Sequence, residues 1–168
     1  MRVAVTGTPG TGKTTATDLL ETDLDVIHLN DVIKSEGLST GTDEERGSLV
    51  ADMDALAEWL DGHEDAIVES HLAHNFEADR VVVLRAHPDT VVSRLRERGD
   101  SDSKGYENAE SEALDVILSE AVHHHGTENV YEIDTTDRDP DEVAAAIRAV
   151  VDGEREPSAG TVSYVDWL

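Results

Sequence analysis

Three observations predict an α/β fold in three layers around a mostly parallel sheet. Short β-branched runs alternate with longer stretches of helical period, each run is brief enough to be covered on both faces, and a glycine-rich turn follows the first run directly. Val3 to Thr6, Asp25 to Leu29, Ala66 to Glu69, Arg80 to Leu84 and Asn129 to Ile133 read as the strands. Leu49, Met53, Leu56 and Leu60 fall at helical spacing after Asp43, a candidate cap. Val91, Val92 and Leu95 make a second stripe that begins after Pro88 and stops at Gly99. Val143, Ile147, Val150 and Val151 follow Asp139-Pro140, with Glu142 placed for a capping box. Strands joined in this way need right-handed crossovers, and their ligands bind at the carboxyl ends of the strands.

A chain of 168 residues suits one such domain, expected over residues 1–152, with 153–168 as a C-terminal tail. The tail has no helical period and ends in the apolar, aromatic stretch Val162 to Leu168, so it is expected to pack on the body. Met1 leads straight into Val3 to Val5, so no signal peptide is expected; with no run of about eighteen apolar residues, neither is a membrane-spanning helix. The absence of cysteine excludes disulfides, a thiolate nucleophile and thiolate-bound zinc. A cytoplasmic protein is the simplest expectation.

The stretch "GTPGTGKT" from Gly7 to Thr14 satisfies G-x-x-x-x-G-K-[ST], with a strand before it and a helix after it. Gly10 and Gly12 let the backbone curl so that successive N–H groups point at phosphates, and the following helix adds its N-terminal dipole. Lys13 is expected to reach the β and γ phosphates of ATP, Thr14 to ligate Mg²⁺ and Thr15 to touch the α phosphate. In "AIVESHLAH", Glu69 ends a strand where a carboxylate orients Mg²⁺, and His71 stands where it can bond the moving phosphoryl group or an attacking water. His74, further along, reads as a loop histidine.

Arg94, Arg96 and Arg98 end a helix, and the polar stretch to Asn108 reads as a mobile loop bracketed by Gly99 and Gly105. Arginines there either stabilise phosphoryl charge or compensate the helix dipole. From His28 to Leu49, the residues Asn30, Asp31, Lys34 and Arg46, with Gly37, Gly41 and Gly47 as joints, offer polar groups for an acceptor nucleotide. His123-His124-His125 has metal-binding composition, but consecutive helical residues point in different directions and no site is expected.

Taken together, "GTPGTGKTT", "LNDVIKSEG…GTDEE", "IVESHLAH", "VVVLR" and "RLRERG" followed by "YEN" resemble the nucleoside monophosphate kinases. The resemblance is strongest to the adenylate kinase isoenzyme 6 family with its archaeal members, through the acid-x-His motif at the strand end and the short lid opening with Arg-Gly. It implies a five-stranded sheet in the order 2-3-1-4-5, a monophosphate region near residues 28–51 and a lid near 98–108. It also implies phosphoryl transfer between ATP and AMP or related monophosphates, ATP hydrolysis in the same site, and catalytic roles for Lys13, Glu69, His71 and Arg98, the last also touching nucleotide. In the family, hydrolysis is tied to late maturation of the small ribosomal subunit and its rRNA, through a transient complex with small-subunit ribosomal protein eleven. Glu69 stands where many relatives carry the shorter Asp, the lid is unusually acidic, and the tail after Asp152 has no clear counterpart. A mainly assembly-driving ATPase is the alternative. A kinase for a small metabolite is disfavoured, since no glycine-rich stretch follows the third strand.

Charge sets a last expectation. Thirty-eight acidic residues face thirteen basic ones, of which only Lys13, Lys34 and Lys104 are lysines, for a net charge of −25. This disfavours strong direct binding to nucleic acid through a basic face. Repulsion on this scale weakens a compact state at low salt, and molar salt cuts the screening length to about 3 Å. A salt-rich cytoplasm, as in a halophilic archaeon, is the setting this composition fits. Added KCl is therefore expected to raise the melting temperature; a fall in thermal denaturation scans would refute the expectation.

Overall fold

The computed structural model describes residues 1–43 and 48–168. Its central sheet contains β1 (Arg2–Thr6), β2 (Asp25–His28), β5 (Ala66–Glu69), β6 (Arg80–Arg85) and β7 (Val130–Asp134), in the spatial order β2-β5-β1-β6-β7. Every pairing is parallel, with Val3 beside Ile67 and Arg80, His28 beside Glu69, and Arg85 beside Asp134. Counting these five strands in chain order gives 2-3-1-4-5, the order the resemblance implied.

Period-two alternation divides each strand between two cores. Val3, Val5, Ile67, Val82, Leu84 and Ile133 face α1 (Lys13–Asp18) and α7 (Pro140–Val151), meeting Ala16, Val143, Ile147 and Val150. Ala4, Val68, Val81, Val83 and Val130 face the other way. They pack with α2 (Leu29–Ser35), α3 (Met53–Leu60) and α6 (Val116–His125) through Leu29, Ile33, Leu56, Leu60, Leu118 and Ala121. A smaller cluster joins α4 (Pro88–Glu97) to α5 (Asp102–Ala113) through Val91, Val92, Leu95 and Ala109.

Four expectations are corrected. Leu49 does not begin a helix; it lies on β4 (Ser48–Ala51), which pairs antiparallel with β3 (Ser39–Asp43). The cap of α3 is Asp52, whose carboxylate accepts from Ala55 N at 3.1 Å, so Asp43 is not its cap. At α7 the capping box is not formed, because Asp139 makes no side-chain cap hydrogen bond. The largest correction lies after α4. Gly99, at φ 95°, closes that helix with Gly99 N on Arg96 O and Asp100 N on Leu95 O, both at 3.0 Å. This paired closure is a Schellman turn. Ser101 at once caps α5 by accepting from Lys104 N at 3.2 Å. The expected loop is thus a four-residue turn followed by helix, and Gly105 lies inside α5, where a Cβ would stand 3.7 Å from Val92 Cα.

The tail packs on the body as expected. Thr161 N and Val162 N donate to Glu132 Oε2 at 2.7 and 3.2 Å, and Trp167 covers the α4–α5 cluster while donating to Asp89 Oδ1 at 2.8 Å. No helix among the described residues is long and apolar enough to cross a membrane. Deleting residues 157–168 strips the buried Glu132 carboxylate of two amide donors. It is expected to lower the unfolding free energy by at least about 1–3 kcal/mol, read from urea midpoints; an unchanged midpoint would mean that the docking contributes nothing.

Candidate functional site

The turn between β1 and α1 is shaped by backbone constraints that only glycine meets. A Cβ on Gly7 would lie 2.6 Å from Leu84 O, a clash with main chain, and Gly12 takes φ 88° as it enters α1. Thr11 N and Thr11 Oγ1 both donate to Thr8 O, at 3.2 and 2.8 Å, closing the curl. Lys13 Nζ folds back to donate to Gly7 O at 2.8 Å and Thr8 O at 3.1 Å. Burial lowers its pKa to about 8, against the pull of Glu69.

Glu69 ends β5 beside the start of α1 and is 4% exposed. Its Oε1 accepts from Thr14 Oγ1 at 3.0 Å and pairs with His28 Nδ1 at 2.8 Å, while His28 Nε2 lies 3.0 Å from Asp18. Burial alone would lower the His28 pKa, but Glu69 and Asp18 outweigh it and hold it above the ordinary value. Ser70 Oγ donates to Asn30 Oδ1 at 2.9 Å, which ties β5 to α2. Burial, reinforced by the Lys13 charge, pushes His71 down to about 4, so its imidazole is neutral at neutral pH. His74 is no loose loop residue: its ring bonds Thr6 Oγ1 at 2.7 Å and Glu120 Oε2 at 3.2 Å.

The glycine turn from Gly10 onward, Glu69, His71 and His74 border a cleft of about 1190 Å³ at the carboxyl ends of the strands, whereas His28 and Ser70 stand behind its lining. Gly10, Gly12, Lys13, Thr14, Thr15, Glu69, His71, Arg94 and Arg98 all line it. Arg94 braces the loop by donating to Gly10 O at 3.2 Å and to Thr135 Oγ1 at 3.0 Å, and Thr135 Oγ1 donates to Thr11 O at 2.9 Å. Arg98 is turned onto Asp100 at 2.7 Å, and Arg96 pairs with Asp102 on the surface. Asn30 and Lys34 line the cleft, Asp31 is not among its lining residues, and Arg46 and Gly47 lie outside the described residues. All three lysines of the chain border this one cleft, in a protein of net charge −25. A second hollow, of about 660 Å³, sits at the opposite end of the sheet among Asp61, Glu64, Asp65 and Asp79 and touches none of these groups.

The donor set suits a hard divalent cation such as Mg²⁺. Thr14 and Glu69 offer oxygen ligands in contact with one another, and Mg²⁺ takes few protein ligands when phosphates and water complete its shell. Among the described residues no three His, Cys, Asp or Glu side chains are grouped to hold a metal alone, and that includes His123, His124 and His125.

A family model described as an AAA domain matches residues 3–115. Proteins named "Putative adenylate kinase" from Natronomonas pharaonis and Halobacterium salinarum are 64% and 63% identical, over the full length of both chains in each case. The chain belongs to this archaeal adenylate kinase family. The namesake from Methanothermobacter thermautotrophicus is 43% identical over 99% of this chain and 98% of its own. Among solved structures, shikimate kinase from Acinetobacter baumannii in complex with shikimate superposes with TM-score 0.63 at 15% identity, covering 92% of this chain and 94% of its own. Deoxyadenosine kinase from M. mycoides with bound dATP gives 0.59 at 13% identity, covering 90% and 100%. At those identities the likeness is one of fold. The full-length match to family members includes the tail, for which sequence reasoning found no counterpart.

His28, Thr135 and Glu112 were not singled out from the sequence, because each reaches its partner across 41 to 124 residues. Free Lys13 loses its proton near pH 8 instead of near 10.5. ATP affinity is accordingly expected to weaken as pH rises through about 8. Calorimetric titrations across that range check it, and a flat profile up to pH 10 would contradict it.

Proposed function

We propose that this protein is a nucleoside monophosphate kinase that moves the γ phosphoryl group of ATP to AMP or a related monophosphate. The observation that carries this reading is the size and charge of the cleft. At about 1190 Å³ it exceeds the roughly 300–1,000 Å³ of a pocket for one small ligand. Its cations, Lys13, Lys34, Lys104, Arg94, Arg98 and Arg138, suit two phosphorylated ligands. The chain's membership of a family named for adenylate kinase supports the same reading.

In this mechanism the triphosphate lies along the loop from Gly10 to Thr15. Lys13 exchanges its bonds to Gly7 O and Thr8 O for phosphate oxygens. Thr14 and Glu69 hold Mg²⁺, which when bound neutralises phosphate charge. The monophosphate enters from the side of Asn30, Lys34 and Leu49, in the region of residues 28–51. Arg98 releases Asp100 and turns to the moving phosphoryl group, while the segment 98–108 closes over it and excludes water. Neutral His71 donates or accepts one hydrogen bond at the reacting phosphate without adding charge.

Water is the second acceptor in this scheme, which gives slower ATP hydrolysis. The corresponding role, implied by the family resemblance, is in cytoplasmic maturation of the small ribosomal subunit through transient binding of small-subunit ribosomal protein eleven. ADP production from ATP, with and without AMP, CMP or UMP, tests the kinase reading alongside phosphate release. The expected result is ADP formed far in excess of released phosphate when a monophosphate is present. Lys13→Ala is expected to lower kcat/KM roughly 10²–10³-fold. ADP appearing only in step with phosphate, whatever the monophosphate, would overturn the kinase reading.

A further inference from the structure

Four contacts meet at Thr8, the second residue of the glycine turn. Its carbonyl accepts from Lys13 Nζ at 3.1 Å, from Thr11 Oγ1 at 2.8 Å and from Thr11 N at 3.2 Å. Its hydroxyl donates to Glu112 Oε1 at 3.0 Å, across 104 residues of sequence. Glu112 lies on α5 and is 3% exposed. Its second oxygen accepts from Ala86 N at 2.7 Å and Arg85 Nε at 3.2 Å. The carboxylate therefore spends one oxygen on the end of β6 and the other on the turn.

Arg85, 1% exposed, also donates to Glu132 Oε1 and Asp115 Oδ1, each at 2.6 Å, and to the Glu112 carbonyl at 3.1 Å. Burying a charge is costly unless its partners are complete, and one carboxylate would neutralise this guanidinium. Fastening β6 to β7 needs only Glu132. Charge balance therefore does not explain a third carboxylate that places one oxygen on the Thr8 hydroxyl. A peptide unit held there does have a consequence at the site, because its carbonyl is one of the two on which the Lys13 ammonium rests.

We infer that Glu112 is a positioning residue for ATP binding: by holding the Thr8 hydroxyl, it fixes the carbonyl that sets where the Lys13 ammonium stands when triphosphate enters the turn. The inference rests on the proposed reading that this turn takes ATP. Removing the grip leaves the Thr8 peptide held only through its carbonyl, by Thr11 N, Thr11 Oγ1 and Lys13 itself. The resting place of the ammonium is then less sharply fixed, so the cost falls on ATP affinity, with little effect on the monophosphate or on turnover at saturation.

The experiment compares wild type, Thr8→Val, Glu112→Ala, Glu112→Gln and the double variant Thr8→Val/Glu112→Ala. ATP Kd is measured by calorimetric titration with Mg²⁺, kcat and KM for AMP by steady-state kinetics, and melting temperature separately. Each of Thr8→Val and Glu112→Ala is expected to weaken ATP about tenfold, as for one lost hydrogen bond. The double variant is expected to be no weaker than the worse single one, since both remove the same link. Glu112→Gln is expected to recover most of the affinity, its oxygen turned to Ala86 and Arg85 and its amide donating to Thr8. KM for AMP and kcat are expected to move by less than about threefold.

Losses that multiply in the double variant would overturn the inference, as would lower melting temperatures with unchanged ATP Kd. If Glu112→Ala does not fold, Thr8→Val leaves every carboxylate in place and decides alone: unchanged ATP affinity sinks the idea. Wild-type protein that binds no ATP would remove both this inference and the reading beneath it. Wild-type protein that binds ATP but phosphorylates no monophosphate would remove the kinase reading alone, and the Kd comparison would still judge Glu112.

Discussion

One buried guanidinium keeps the nucleotide end of this molecule in register. Arg85 is the last residue of β6, at the edge from which the chain leaves the sheet, and it gathers carboxylates from α5, from the turn before α6 and from β7. Burial alone would lower its pKa, but Glu112, Asp115 and Glu132 reverse that effect and hold it above the ordinary value. The same strand end presses Leu84 O against Gly7, so the glycine turn and the ion cluster share one piece of backbone. The floor of the cleft is therefore built by long-range polar contacts, while the two apolar cores hold the sheet on which it stands.

Much of this was legible in the sequence because the signals are local. The five strands of the central sheet were found within a residue or so of their ends, since a short β-branched run buried on both faces has few other readings, whereas the exposed pair β3 and β4 was missed. The glycine turn, Glu69 and His71 carry their meaning within a few residues, and the structure brings them to one cleft with Arg98. The misreadings also have physical causes. Leu49 shares helical spacing with Met53, Leu56 and Leu60 by coincidence and is half-exposed on a hairpin. The segment after Gly99 looked like a loop because glycine, aspartate, serine and asparagine, which fill most of it, are weak helix formers. A Schellman closure followed at once by a serine cap overrides that weakness, and Gly105 suits a helix that must approach Val92 closely. Contacts such as Thr8 to Glu112 or Thr135 to Thr11 join residues more than a hundred positions apart and leave no periodic trace.

Electrostatics follow a simple division. Acids dominate the exterior, while basic side chains are reserved for particular tasks. Arg85 and Arg80 tie elements together, Arg80 through the carbonyls of Val150 and Val151. Arg94 braces the glycine turn, and the lysines border the cleft. Mobile anions are thus repelled from most of the molecule and meet positive charge chiefly where the turn awaits phosphate. Added salt weakens both effects together.

The placement of the lysines also governs how the protein can be handled chemically. Reagents that acylate lysine amines, whether dyes, biotin esters or the coupling groups of a sensor chip, find lysine only along the cleft, with Lys13 buried in it. Covalent attachment through lysine would therefore tether the molecule by its working face and obstruct it, whereas the amine of Met1, paired with Asp65 at the far end of the sheet, offers an anchor that leaves the cleft open.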